Sequence, residues 1–160
     1  MLDLSKSINL FNGDCLEVMD NLIKKGVTVD AIITDPPYGT TACKWDSIIP
    51  FDEMWLRLNK LIKPNGAIVL FGSEPFSSAL RMSNIKQYKY DWVWDKGRGY
   101  NFASVKYQPF KSHELISIFS KKSHFYQPQM TTGEPYTKKQ SRKGEAVSYT
   151  HLTLPTIYSV

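Results

Sequence analysis

The chain has 160 residues, of which 42% are hydrophobic, and a formal net charge of +5. It is long enough for one domain, and its longest apolar runs, of about five residues, are too short for a membrane span, so we expect a cytoplasmic protein. Two lone cysteines and three scattered histidines indicate neither a disulfide framework nor a metal site, and we expect no metal.

The first predicted unit is a strand, a helix and a second strand. Residues 8–11 form the first strand, residues 16–23 have helical spacing, and residues 29–34 are a continuous apolar run typical of a strand buried on both faces of a parallel sheet. With a right-handed crossover, Asp14 and Asp35 would lie at one sheet edge, where open α/β sheets bind their ligands. An N-cap of the helix explains Asp14 equally well.

The turn after the second strand has the sequence Asp35-Pro36-Pro37-Tyr38, and we name it the acceptor turn. Proline fixes φ, lacks an N–H and keeps the residue before it extended, so this turn is stiff. It presents the carboxylate of Asp35 and the carbonyl of Pro36, two acceptors spaced for the two hydrogens of an exocyclic amino group, with Tyr38 as a flat face beside them. A nucleobase amino group fits, and accepting both its hydrogens would aim the nitrogen lone pair at an electrophile.

Asp-Pro-Pro-Tyr-Gly after a buried strand resembles the catalytic motif of the S-adenosylmethionine-dependent DNA amino-methyltransferases. The resemblance implies that Asp35, Pro36, Pro37 and Tyr38 are catalytic, with Tyr38 stacking on a flipped base. It also implies DNA as substrate and a restriction endonuclease as a partner. Aspartate at position 35 favours adenine-N6, while cytosine-N4 stays open because both bases offer the same amino geometry. The alternative is a rigid proline turn without function.

The same resemblance implies a cofactor site for S-adenosylmethionine formed by Asp14, Asp35 and Gly72. Gly72 follows a predicted strand at residues 67–71, although a small-residue turn into the next helix also explains it. Residues 39–50 form a loop that could close over a bound base. Within it, Trp45 more simply anchors the loop than stacks on a base.

The next predicted elements are a helix over residues 54–62, a helix over residues 76–82 and a strand over residues 88–96. The last of these carries four rings with a period of two, which predicts one shared face and core packing: Tyr88, Tyr90, Trp92 and Trp94. Residues 93–96 and 113–119 resemble the strands that complete the sheet and the base pocket in the permuted class of the family. The resemblance covers residues 8–121.

Between these two strands, cations alternate with aromatic residues. Residues 96–160 hold 10 Lys and Arg against 3 Asp and Glu, whereas residues 1–95 hold 10 against 12. Arg98, Lys106 and Lys111 could bind DNA phosphates while Tyr100 or Phe102 supports a flipped base. An ordinary exposed loop is the alternative.

We therefore predict an α/β, Rossmann-like methyltransferase fold with a doubly wound, mostly parallel sheet that is incomplete at its C-terminal end. Residues 1–121 would be a partial catalytic domain, residues 122–145 the start of a target-recognition region and residues 146–160 a non-native tail. The sequence lacks a Phe-x-Gly-x-Gly cofactor loop, so we expect the fragment to be inactive alone. The rival interpretation is a nucleic-acid-binding module that transfers nothing.

Overall fold

The structure is a computed structural model and describes residues 8–129. Its helices and strands, in chain order, are α1 (Cys15–Lys24), β1 (Val29–Thr34), α2 (Phe51–Leu61), β2 (Ile62–Gly72), α3 (Phe76–Ser83), β3 (Tyr88–Asp95) and β4 (His113–Phe119). The strands form one open sheet in the order β1-β2-β4-β3. Residues up to Phe125 form one compact unit, and residues 126–129 belong to a second.

The core lies between one face of the sheet and the helices α2 and α3. Ile68 and Leu70 of β2 and Phe119 of β4 are completely buried there. They pack with apolar residues of the two helices and the start of β2, namely Met54, Trp55, Leu58, Ile62, Phe76 and Leu80. Full burial of each large apolar side chain stabilises the fold by about 1.5–3 kcal/mol, so this layer holds the central strands in place.

The predicted α/β class is confirmed, and the described sheet is mixed where mostly parallel pairing was expected. β1 runs parallel to β2, but β2 and β4 are antiparallel, as are β3 and β4. Parallel neighbours need a crossover connection, usually a helix. The segment between β3 and β4 contains only a three-residue 3-10 turn, Phe102–Ser104, so β4 returns beside β3 in the opposite direction.

The predicted strand at residues 8–11 is wrong. These residues have no strand assignment, and Leu10 is 92% exposed. Within the described residues β1 lies at the edge of the sheet and pairs only with β2, so residues 8–11 have no strand partner. The prediction that β1 is buried on both faces is also wrong: Ile32 packs against the core, whereas Ile33 is 68% exposed.

The prediction that four rings of β3 share one buried face is also wrong. The pairing register shifts by one residue between Tyr88, opposite Phe119, and Tyr90, opposite Ile118. Because a one-residue shift moves a side chain to the other face of a sheet, Tyr88 packs on the core residue Phe119. Trp92 and Trp94 lie on the opposite face and are 41% and 44% exposed.

The remaining expectations concern the C-terminal residues, a membrane span and a metal site. The proposed tail at residues 146–160 and most of the segment at 122–145 lie outside the described residues. Among residues 8–129, no helix is long and apolar enough to cross a membrane. The same residues contain no group of three His, Cys, Asp or Glu side chains placed to hold a metal ion.

Gly66 of β2 lies against the backbone of β1, and this close contact generates a stability prediction. A Cβ at Gly66 would lie 2.6 Å from the backbone oxygen of Asp30. Backbone cannot move away as a flexible side chain can, so we expect Gly66→Ala to lower the free energy of unfolding by about 1–3 kcal/mol. Urea unfolding measures it. In the control Gly13→Ala, the nearest atom would be a Val18 methyl at 3.8 Å, and equal urea midpoints for the two variants would contradict the prediction.

Candidate functional site

The acceptor turn begins where β1 ends. Thr34, the last residue of β1, lies opposite Leu70 in the ladder, and Asp35 follows it at the surface while Pro36 is buried. The Tyr38 hydroxyl donates a hydrogen bond to Asp35 Oδ1. Within the described residues, neither Asp35 Oδ2 nor the Pro36 carbonyl has a hydrogen-bond partner. The turn therefore keeps two acceptors open, and the carboxylate that supplies one of them is held by Tyr38.

Tyr38 is less independent of Asp35 than the sequence suggests. Its ring lies against Phe76 of α3, with centroids 5.0 Å apart and planes tilted by 31°. Burial raises the pKa of Tyr38, and the hydrogen bond to Asp35 and the charges of Asp35 and Glu114 raise it further. Tyr38 consequently stays protonated and acts as a donor to Asp35 as well as a flat apolar surface.

The four residues of the acceptor turn share one cavity with the loop that follows them. The cavity has a volume of about 330 Å³, and its remaining lining residues are Thr40, Thr41, Trp45 and Asp46. The structure thus brings all four predicted catalytic residues together. A larger cavity of about 430 Å³ lies on α2 and the end of α3, but the acceptor turn does not line it.

Asp46 organises this loop, a role that the sequence analysis missed. Its Oδ1 accepts from the Gly39 amide at 2.8 Å, and its Oδ2 accepts from the amides of Thr40 and Thr41 at 2.9 and 2.7 Å. The Thr41 side chain and these amides hold the pKa of Asp46 at about 2. A carboxylate five to seven residues after a Gly-Thr-Thr turn was the available signal, but loop closure cannot be read from spacing alone.

Trp45 does not anchor the loop as predicted, since 74% of its surface is exposed. Asp46, its neighbour in the chain, is the residue that is turned inward and only 9% exposed. Hydrogen bonds to main-chain amides therefore hold the loop, and the indole ring is left on the surface at the cavity.

The predicted cofactor residues lie in different settings. Asp14 caps α1, where its Oδ1 accepts from the amides of Leu16 and Glu17 at 2.8 and 3.2 Å. Gly72 is buried, and a Cβ there would lie 2.5 Å from the Ser77 hydroxyl, so packing of α3 on β2 already requires glycine. Asp14 does not follow a strand in the described residues, so the expectation that a strand end brings it to the edge with Asp35 is wrong. Neither Asp14 nor Gly72 lines the cavity of the acceptor turn.

The predicted DNA-binding residues lie on the connection between β3 and β4, and hydrogen bonds hold the two sides of this connection together. Asn101, another residue that the sequence analysis missed, donates to the Pro109 carbonyl and accepts from the Lys111 amide at 2.9 and 2.7 Å. The Lys111 ammonium donates to the hydroxyl of Ser73, just beyond Gly72, so this cation lies at the end of β2. Arg98 and Lys106 are exposed.

Lys96 connects this loop to the strands. Its ammonium pairs with Glu114 across β3 and β4, and it lies 5.0 Å from the ring centroid of Trp94 and 5.1 Å from that of Tyr100. The charge of Glu114 is also the smallest of the contributions that raise the pKa of Tyr38. The Lys96–Glu114 pair could not be predicted from the sequence, because it depends on the strand register that places Trp94 opposite Glu114.

Comparison with known proteins identifies a family. Residues 29–156 match the sequence model of a family described as DNA methylase. A search of curated proteins found no match.

Two solved structures share the fold of this chain. The crystal structure of the M1.HpyAVI-SAM complex is 23% identical with a TM-score of 0.58, and that of M1.HpyAVI is 24% identical with a TM-score of 0.56. Each covers 79% of this chain, which spans only 62% and 61% of those chains. PvuII DNA methyltransferase, described as cytosine-N4-specific, has a TM-score of 0.48 at 16% identity, with 70% of this chain and 48% of that chain covered.

The pKa of Asp46 yields a test of the loop. A carboxylate with a lowered pKa contributes stability that is complete above its ordinary pKa near 4 and is lost as the pH falls from there through the folded value. In the folded protein, Asp46 itself should stay ionised at pH 4 and protonate only as the pH falls through about 2. NMR shifts of the Gly39, Thr40 and Thr41 amides should therefore stay constant from about pH 6 to pH 3. A midpoint near pH 4 would contradict this, and Asp46→Asn, which lacks the titrating group, is the control.

Proposed function

We propose that this chain, which belongs to a family of DNA methylases, is the part of a DNA methyltransferase that binds the target base, and that the reaction transfers a methyl group from S-adenosylmethionine to adenine-N6. The observation that carries this proposal is the pair of open acceptors, Asp35 Oδ2 and the Pro36 carbonyl, on one stiff turn. Since the chain spans less than two thirds of the M1.HpyAVI chains, the activity of the whole protein is part of the proposal.

The two acceptors suit a donor group that carries two hydrogens on one nitrogen, such as an exocyclic amino group. An exocyclic amino nitrogen carries two hydrogens in one plane, and a carboxylate with a neighbouring carbonyl can accept both. The hydrogen bond from Tyr38 to Asp35 fixes the carboxylate before the base arrives, which lowers the entropic cost of binding. With both hydrogens accepted, the lone pair of the nitrogen turns out of the ring plane and becomes nucleophilic.

The described residues fit part of S-adenosylmethionine. Asp14 keeps Oδ2 without a partner among the described residues, and this oxygen can accept from a cofactor hydroxyl. The Ser77 hydroxyl occupies the space beside Gly72. Gly72 therefore allows close packing of α3 on β2 and leaves no space there for the cofactor. When bound, the cofactor would supply an activated methyl group, while Asp35 and Pro36 orient the amino nitrogen.

Adenine is the proposed target because position 35 is aspartate, and in the family the Asp-Pro-Pro-Tyr form of the motif is the one that favours adenine-N6. Cytosine-N4 is the alternative within the same chemistry. A restriction endonuclease as partner remains a prediction of the resemblance.

The first test separates recognition of the amino group from general affinity for DNA. A duplex with one unpaired adenine is compared with the same duplex carrying unsubstituted purine, which lacks the amino group. We expect roughly tenfold tighter binding of adenine, because purine cannot make the two hydrogen bonds, one of them to a charged group. Asp35→Ala removes the charged acceptor and leaves only the Pro36 carbonyl, so it should remove most of the preference while leaving affinity for fully paired DNA unchanged. Fluorescence anisotropy measures all of these.

The control compares unpaired cytosine with unpaired 2-pyrimidinone, which lacks the amino group of cytosine. A larger preference in this second pair than in the adenine pair would assign cytosine-N4 as the target. Equal binding of adenine and purine by the unmodified chain would overturn the proposed role of the acceptor turn.

The second test concerns the basic loop. Replacing Arg98, Lys106 and Lys111 together by glutamine should weaken DNA binding and reduce the slope of log affinity against log salt by about 0.9 for each DNA phosphate that is no longer bound. The matched control removes the same charge from the C-terminal end of α1 and from α2 by replacing Lys24, Lys25 and Lys60 with glutamine. An equal change of slope in both triple variants would show that the loop has no special role.

A further inference from the structure

The segment of residues 39–46 is closed by a single side chain. Both carboxylate oxygens of Asp46 are used by three successive main-chain amides at 2.7 to 2.9 Å. Successive amides that converge in this way form an anion-binding nest. Here the anion belongs to the chain itself, so the conformation of the segment depends on the charge and length of one residue.

This closure acts on the acceptor turn because the two segments are continuous. Gly39 follows Tyr38 directly, has φ +67° and lies so near Ile48 that an added Cβ would be 2.9 Å from that side chain. Glycine alone adopts such a turn cheaply. Gly39 sets the direction in which the chain leaves Tyr38. The hydrogen bonds of Asp46 to the amides of residues 39–41 fix the position at which the loop comes back to this turn.

The exposed ring of Trp45 is the consequence of that arrangement. Trp45 lines the same cavity as Tyr38, and 74% of its surface faces solvent. An indole is costly to leave in water and stacks well on flat heteroaromatic groups. Holding the neighbouring Asp46 inward keeps this ring at the mouth of the cavity.

We propose that Asp46 is a positioning residue that holds Trp45 at the mouth of the acceptor cavity, where the indole stacks on an unpaired nucleobase. The inference rests on the proposed function for the identity of the ligand, and it adds a second aromatic contact to that of Tyr38. Removal of the carboxylate releases the three amides, so the loop opens and the stacking surface disappears.

The experiment uses the full chain and the duplex with one unpaired adenine, with the fully paired duplex as reference. Asp46→Ala is expected to weaken binding of the unpaired duplex roughly tenfold, the scale of one base stacked on an aromatic ring, without affecting the paired duplex. Acetate, compared with chloride at the same ionic strength, should restore binding to Asp46→Ala by filling the nest. It should not restore Asp46→Asn, whose amide occupies that space.

Trp45→Ala provides an independent arm because an exposed ring is not needed for folding. It should weaken binding to the same extent without rescue by acetate, while Trp45→Phe keeps most of the affinity. The matched control Asp52→Ala removes an exposed carboxylate from the first turn of α2 and should change nothing.

The outcomes distinguish failure of the proposed function from failure of the role given to Asp46. If the unmodified chain does not prefer the unpaired duplex, the proposed function fails. If it does prefer that duplex and Asp46→Ala and Trp45→Ala retain the preference, only the role of Asp46 and Trp45 is overturned. Weakened binding in Asp46→Ala that acetate does not restore also overturns it, because a general structural defect would give that result.

Discussion

The pairing of β1 with β2 is the constraint on which the whole site depends. Thr34 lies opposite Leu70, and Leu70 is completely buried beneath the helices on β2. The end of β1 is therefore fixed by the core although β1 itself is an exposed strand. Asp35 leaves the sheet at one defined point, and the two prolines after it remove most of the remaining backbone freedom. Packing in the interior thus determines where the acceptor turn lies at the surface.

Charge is distributed around this point so that three carboxylates have three different uses. Asp46 gives both oxygens to main-chain amides, Glu114 pairs with Lys96, and Asp35 accepts from Tyr38 with one oxygen and keeps the other open. Two of the negative charges are thus compensated within the chain. The third keeps one oxygen without a partner among the described residues, so it can accept a hydrogen bond from a ligand.

Local pattern predicted most elements of the fold, and pairing decided the rest. The helix at residues 16–23 and the strand at 29–34 follow from periodicity and are present as α1 and β1. Residues 8–11 have the same apolar character as a strand, but a strand exists only with a partner, and within the described residues they have none. The exposure of Trp92 and Trp94 depended on which sheet face is covered and on a register shift, and neither is visible in a period of two.

The site divides in the same way. The acceptor turn could be predicted because proline imposes its geometry locally, whereas Asp46, Asn101 and the Lys96–Glu114 pair act across loop closures or strand registers. Binding of an unpaired adenine, labelled with nitrogen-15 at its amino group, tests the central claim most directly. In the complex, NMR should detect through-space contacts from both amino protons to the Tyr38 ring and the ring protons of Pro37. Amino protons that contact neither residue, or that remain open to water, would contradict the account.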